Sequence, residues 1–161
     1  MKIYSFPPIE PVEPKVLILG TMPGKKSLEL NQYYGHGGNQ FWRLLFDLFQ
    51  IEYSSDYKSK TDLAVKNQIA IWDVLKACER ETSADSDIML EEPNDFKGFF
   101  GKHPSIRAVF FNGKPAAKYF HKDFGAINIP QFTLPSTSPA NTWFTYSTRL
   151  NEWKEILNWL K

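Results

Sequence analysis

The chain has 161 residues, 42% of them hydrophobic and 16% aromatic, which is the size and composition of one folded domain and excludes a disordered or collagen-like chain. A formal net charge of +1 excludes a strongly basic nucleic-acid coat, although a local patch of donors for a few phosphates needs no such excess. The single cysteine, Cys78, excludes an internal disulfide and any multi-cysteine metal site. A reducing, cytoplasmic setting is therefore expected, with no metal or cofactor. No apolar stretch reads as a signal peptide or a membrane span.

The first fourteen residues carry Pro7, Pro8, Pro11 and Pro14 and read as an extended arm along the surface. Val16-Leu17-Ile18-Leu19 is an apolar run ending at Gly20, which suits a strand buried on both faces of a parallel sheet. A polar, glycine-rich loop is expected from Thr21 to Gly38. Gln40 to Gln50 reads as a helix with Phe41, Leu44, Leu45 and Leu48 as its stripe, and Lys60 to Gln68 as a weaker one. Ile69-Ala70-Ile71-Trp72 is a second buried strand ending at Asp73. Residues 79 to 94 are polar and read as loop, and Asp95 to Lys102 as a short helix.

Arg107 to Phe111 is the third strand, turned by Asn112-Gly113 into a helix with Pro115 in its first turn. Ile129 to Leu134 is the fourth, followed by a Ser/Thr/Pro loop over 135–142. Leu150, Trp153, Ile156, Leu157 and Leu160 mark a C-terminal helix. Strands alternating with helices predict an α/β fold, a four-stranded parallel sheet between two helical layers, in one domain spanning 1–161.

Ligands of an open parallel sheet bind outside the carboxyl ends of its strands. Three loops converge there: Gly20-Thr21-Met22-Pro23-Gly24, Asn112-Gly113, and Leu134 through Asn141. Tyr33-Tyr34-Gly35-His36-Gly37-Gly38-Asn39 adds aromatic faces beside amide and imidazole groups, the mixture that an everted nucleobase requires. Neither G-x-x-x-x-G-K-[ST] nor G-x-G-x-x-G is present, which weighs against a nucleotide-binding module.

The segment GTMPGKKSLELNQYYGHGGNQFW resembles the first motif of the uracil-DNA glycosylase superfamily, and within it the hypoxanthine-DNA glycosylases, also called family 6. IWDVLKACERETSADSDI, VFFNGKPA and LPSTSPAN are similar to further segments of the family, so the resemblance runs from about Val16 to Trp153. It implies a three-layer α/β/α sandwich and a monofunctional enzyme that hydrolyses the N-glycosidic bond of a deaminated base, hypoxanthine or uracil. The expected partner is DNA containing such a base, met by a monomer. The alternative on the same fold is a protein that binds deaminated DNA without cutting it.

The resemblance also distributes roles. Asn39, just before Phe41-Trp42 and one residue ahead of them by Gln40, is the expected catalytic residue; as a plain sequence feature it is equally a helix cap. Met22 stands where other branches carry an activating Asp or Asn, and with Pro23 it is expected against the base. Asp73, the nearest carboxylate by topology, is expected to be structural. Tyr34 aligns with the ring that stacks on the base, with Tyr33 in reserve. Asn112 is expected to read the edge of the base, although Asn-Gly is also a common turn. Ser27, His36, Ser136, Thr137 and Ser138 are expected on the DNA backbone. Leu134 replaces a histidine common in relatives, and Ser138 is too small to act as a wedge.

Overall fold

The computed structural model describes residues 1–161. Four parallel strands form its main sheet: β2 (Val16–Gly20), β3 (Ile69–Asp73), β6 (Ala108–Asn112) and β7 (Gln131–Leu134), in the order β3-β2-β6-β7. Side chains alternate across a strand, so each central strand feeds both layers. Val16 and Ile18 enter one core with Ile69, Ile71, Phe110, Phe41, Leu45 and Trp153. Leu17 and Leu19 enter the other with Ala70, Val109, Phe111, Phe96 and Phe120. The first core is covered by α2 (Phe41–Leu48), α3 (Tyr57–Lys66) and α6 (Tyr146–Trp153); the second by α4 (Phe96–Lys102) and α5 (Lys114–Asp123). This is the three-layer α/β/α sandwich expected from the alternation of elements.

Three expectations need correction. The glycine-rich loop contains a helix, α1 (Lys25–Leu30), ended by Asn31 in the left-handed region at φ 55°. Its six residues are too few to show a helical period. Residues 79–94 are not simply loop. β4 (Leu75–Glu79) and β5 (Met89–Pro93) pair antiparallel, and β1 (Lys2–Tyr4) joins β4 to complete a second, three-stranded sheet. Those pairings are non-local, so no short window reveals them. The C-terminal stripe is not one helix: after Trp153 the chain tightens to a 3₁₀ turn over Lys154–Trp159.

The N-terminal arm is extended as expected, and it also closes the sheet. Ile9 exchanges backbone hydrogen bonds with Ile71 (2.8 and 3.0 Å), capping the outer edge of β3. Glu10 then pairs with His103 (2.5 Å) and Lys102 (2.9 Å) at the end of α4. An edge so covered cannot template pairing with another chain.

Candidate active site

The carboxyl ends of β2, β3, β6 and β7 open into one cleft of about 170 Å³, roughly ten times the room one ordered water needs. Its walls are mostly polar. Of the residues expected there, Met22, Pro23, Ser27, Tyr34, His36, Asn39, Asn112, Ser136, Thr137 and Ser138 all border it. The three strand-end loops do converge.

The floor lies where β2 and β3 end side by side, Gly20 opposite Asp73 in the parallel register. A Cβ on Gly20 would lie 2.6 Å from Asp73 Oδ1 and 2.8 Å from the Tyr34 hydroxyl, so the missing side chain makes room for both groups. Neither Asp73 Oδ2 nor the Tyr34 hydroxyl has a hydrogen-bond partner, and both are buried. Buried polar atoms without partners are uncommon because each forfeits its hydration. Two more lie close by: Arg80, at the end of β4, gives Nη2 to the Pro23 carbonyl but leaves Nε and Nη1 unbonded, with Nη1 3.9 Å from Asp85 Oδ1.

The electrostatics follow from this burial. Loss of water pushes the Asp73 carboxyl up to about 7, with the Asp85 charge acting in the same direction and Arg80 against it. Burial also raises Asp85, opposed by Arg80 and the Thr21 hydroxyl. The Tyr34 hydroxyl is raised by burial first and by Asp73 second, opposed by the nearby Asn112 side chain, so it stays neutral.

Tyr34 has a left-handed backbone, φ 53°, and its ring lies 6.3 Å from that of Tyr33, tilted by 42°. Its ring stacks on Phe41, centroids 4.1 Å apart. Tyr33 also borders the cleft but is tied into the core: its hydroxyl donates to the carbonyls of Phe6 and Pro7, and its own carbonyl accepts from Trp42 Nε1. Asn39 is not the cap of α2, a position held by Gln40, and it uses only one end of its amide within the protein. Oδ1 accepts from the Phe41 N–H (2.9 Å), a local turn that starts α2, while Nδ2 makes no hydrogen bond within the protein and borders the cleft.

The opposite rim is internally satisfied. Asn112 Nδ2 donates to Thr137 Oγ1 (2.9 Å) and its Oδ1 accepts from the Thr137 N–H (2.9 Å), tying the end of β6 to the loop after β7. Ser136 Oγ accepts from Ser138 N and Ser138 Oγ from Ala140 N. Gly113, at φ 97°, makes the turn into α5 and lies against Ser136, where a Cβ would be 3.0 Å from the serine Cβ. Ser27 is buried and its hydroxyl accepts from Gly35 N (2.9 Å), which fixes the loop that carries Tyr34. His36 is exposed, its Nδ1 accepting from Gly38 N.

Reading the sequence missed Ser83, Asp85, Lys25 and Lys26, all of which border the cleft. Ser83 Oγ accepts from Lys25 N (2.9 Å), so the segment after β4 caps α1 from a distance. Asp73 was seen, but as a structural residue; its place at the strand end beside Gly20 was the available signal.

A parallel α/β/α sandwich with a polar-lined cleft at its strand ends, floored by a buried carboxyl and a tyrosine and bordered by an asparagine whose Nδ2 has no protein partner, is the class this geometry defines. Residues 6–161 match the family model described as the uracil DNA glycosylase superfamily. The chain is 40% identical over 156 residues to a hypoxanthine DNA glycosylase of Methanosarcina barkeri (strain Fusaro / DSM 804), covering 96% of this chain and 98% of that protein. It is 37% identical over 153 residues to a hypoxanthine DNA glycosylase of Methanosarcina acetivorans, covering 94% and 96%. A solution NMR structure of a candidate uracil DNA glycosylase from Methanosarcina acetivorans superposes with a TM-score of 0.84 at 36% identity, over 99% of both chains. The chain belongs to the uracil DNA glycosylase superfamily, and it is a DNA glycosylase. No helix is long and apolar enough to cross a membrane.

Proposed function

We propose that the protein removes deaminated bases from DNA by hydrolysis, hypoxanthine first among them, and leaves an abasic site. The observation that carries this reading is the cleft itself: an unpartnered carboxyl oxygen and an unpartnered tyrosine hydroxyl share it with an asparagine whose Nδ2 has no protein partner. The two relatives named as hypoxanthine DNA glycosylases support the choice of base.

Extruding a nucleotide costs a few kcal/mol, and less where the base is mispaired, so the lesion is favoured before it reaches the cleft. The everted base lies against Tyr34, whose ring is backed by Phe41. Hypoxanthine and uracil share a lactam edge, C=O beside N–H. Asp73 as a neutral acid matches that edge: its C=O accepts from the ring N–H and its O–H donates to the exocyclic oxygen. Asn112, the residue expected at this edge, spends one N–H and one lone pair on Thr137, so its first part is to shape the loop, and its second N–H remains for the base.

Water adds to C1′ as the C1′–N bond breaks, and the electron pair stays on the departing base, which then takes up a proton. Negative charge grows on the exocyclic oxygen as the bond lengthens. A proton held on Asp73 stabilises that charge, whereas an ionised carboxylate would repel it. Asn39 Nδ2 donates to the departing base or holds the attacking water. Ser136 and Ser138 present the rim to the phosphates. No lysine lies on the floor; Lys25 and Lys26 are exposed at the mouth and act on phosphate charge.

The test is a panel of duplexes carrying hypoxanthine, uracil, xanthine or thymine opposite each normal base, scored by alkali cleavage at the lesion. Cleavage at hypoxanthine with no borohydride-trapped protein–DNA adduct is expected. Tight binding without cleavage would replace this reading with that of a lesion-binding protein, and a trapped adduct would replace hydrolysis with lysine chemistry.

A further inference from the structure

Arg149, on the inner side of α6, is only 3% exposed, yet it forms no ion pair. Burying a guanidinium without a counter-charge is costly, and a residue needed there for packing alone would be apolar, like Trp153 one turn further on. Burial accordingly pulls its pKa below the ordinary value. What the side chain does is hold two oxygens from distant segments. Nη1 donates to Gln40 Oε1, and Nη2 donates to the Asn141 carbonyl at 3.0 Å. Nε is buried and unbonded.

Both partners matter to the site. Gln40 immediately follows Asn39, and its own N–H donates to the Thr137 carbonyl (3.1 Å). Asn141 closes the hydroxyl-bearing loop: its N–H donates to the Ser138 carbonyl (3.0 Å) and its Nδ2 to the Ser136 carbonyl (3.0 Å). α6 grips the start of the same loop through Trp153 Nε1 and the Pro135 carbonyl (2.9 Å). A planar fork can hold two acceptors in fixed relation, which an ammonium on a flexible stem cannot.

We propose that Arg149 is a positioning residue for base excision, clasping the Asn39–Gln40 turn to the Ser136–Asn141 loop so that the amide at the base and the hydroxyls at the phosphates keep one geometry. The inference rests on the role given to Asn39, and its experiment has an arm that does not. A misplacement of about 1 Å in a reacting group can cost on the order of 10²-fold in rate.

Arg149→Met, Arg149→Lys, Gln40→Ala and the Gln40→Ala/Arg149→Met double variant are compared with wild type. The first readout is amide hydrogen exchange by NMR. The N–H groups of Gln40 and Asn141 should exchange faster by about tenfold or more in both Arg149 variants, while Phe110 in the core strand stays within about twofold. The second is excision from a deoxyinosine duplex at saturating enzyme. Its single-turnover rate should fall by at least about tenfold in both variants, with duplex affinity changed by less than about threefold. The double variant should be no slower than Arg149→Met, because both changes open one clasp.

Full rescue by lysine, multiplicative losses in the double variant, or unchanged exchange at Gln40 and Asn141 would overturn the proposal. If Arg149→Met does not fold, the lysine and Gln40 variants decide alone. If wild type excises no base at all, the proposed function falls, and the exchange arm still judges the clasp.

Discussion

The floor and the rim of the cleft are built from the same kinds of residue and treat them oppositely. On the rim, Asn112, Thr137, Ser136, Ser138 and Asn141 spend their hydrogen bonds on one another and on local backbone. On the floor, Asp73, Tyr34 and Arg80 keep buried atoms unbonded. A satisfied polar group holds shape; an unsatisfied one is already desolvated and available to a partner. Chemistry therefore belongs to the floor and the Asn39 amide, and shape belongs to the rim.

The sharpest way to break that division is Asn39→Ala. Removing a donor aimed at charge in the transition state costs about 10²-fold in rate, and single-turnover excision measures it; a rate near wild type would leave Asn39 with its turn to Phe41 only. Asn112→Ala is expected to strike stability first. It strands the Thr137 N–H and hydroxyl, at about 1–3 kcal/mol for buried groups left unpaired, read by thermal or denaturant unfolding. A rate loss with unchanged stability would return Asn112 to the base.

The Asp73 prediction concerns pH. With the carboxyl pushed up to about 7, the neutral acid is present below that value and lost above it. Excision should fall by about tenfold per pH unit on the alkaline side, and Asp73→Asn, which keeps a donor and an acceptor, should flatten that limb and remain active. An inactive Asp73→Asn would make the carboxylate a base instead. Linkage has a matching sign: the folded state binds the extra proton, so stability declines between the ordinary carboxyl range and about 7 and then levels, and Asp73→Asn should remove the decline.

The smallest effect lies far from the cleft. The Glu10 carboxyl is held below its ordinary value chiefly by its hydrogen bond with His103 and then by Lys102. That contribution is present above the ordinary carboxyl range and lost as pH falls through the lowered value. Glu10→Gln should cost about 1 kcal/mol or less at neutral pH, because the pair is partly solvated, with activity intact.

The apolar runs at Val16, Ile69 and Ala108 made the parallel sheet legible, because a strand buried on both faces has no polar alternation to obscure it. The position of the cleft followed from that topology. What escaped depended on long-range pairing or on single dihedrals. The β1–β4–β5 sheet joins residues 2–4 to 75–79 and 89–93, and the segment between β4 and β5 carries Ser83 and Asp85 to the cleft. Tyr33 and Tyr34 are adjacent and chemically identical, yet the hydroxyl of the first is bonded to the Phe6 and Pro7 carbonyls and that of the second is left without a partner. Arg149 gave no signal, since a charged residue in an amphipathic helix reads as a solvated one.

The bridge between Ile9 and Ile71 places the start of the chain on the strand whose last residue is Asp73. Losing the first dozen residues to a protease would bare the amide and carbonyl of Ile71, two residues upstream of that acid. The damage would reach solubility and excision together, so a nicked preparation would mimic an active-site lesion while every residue of the cleft remained intact.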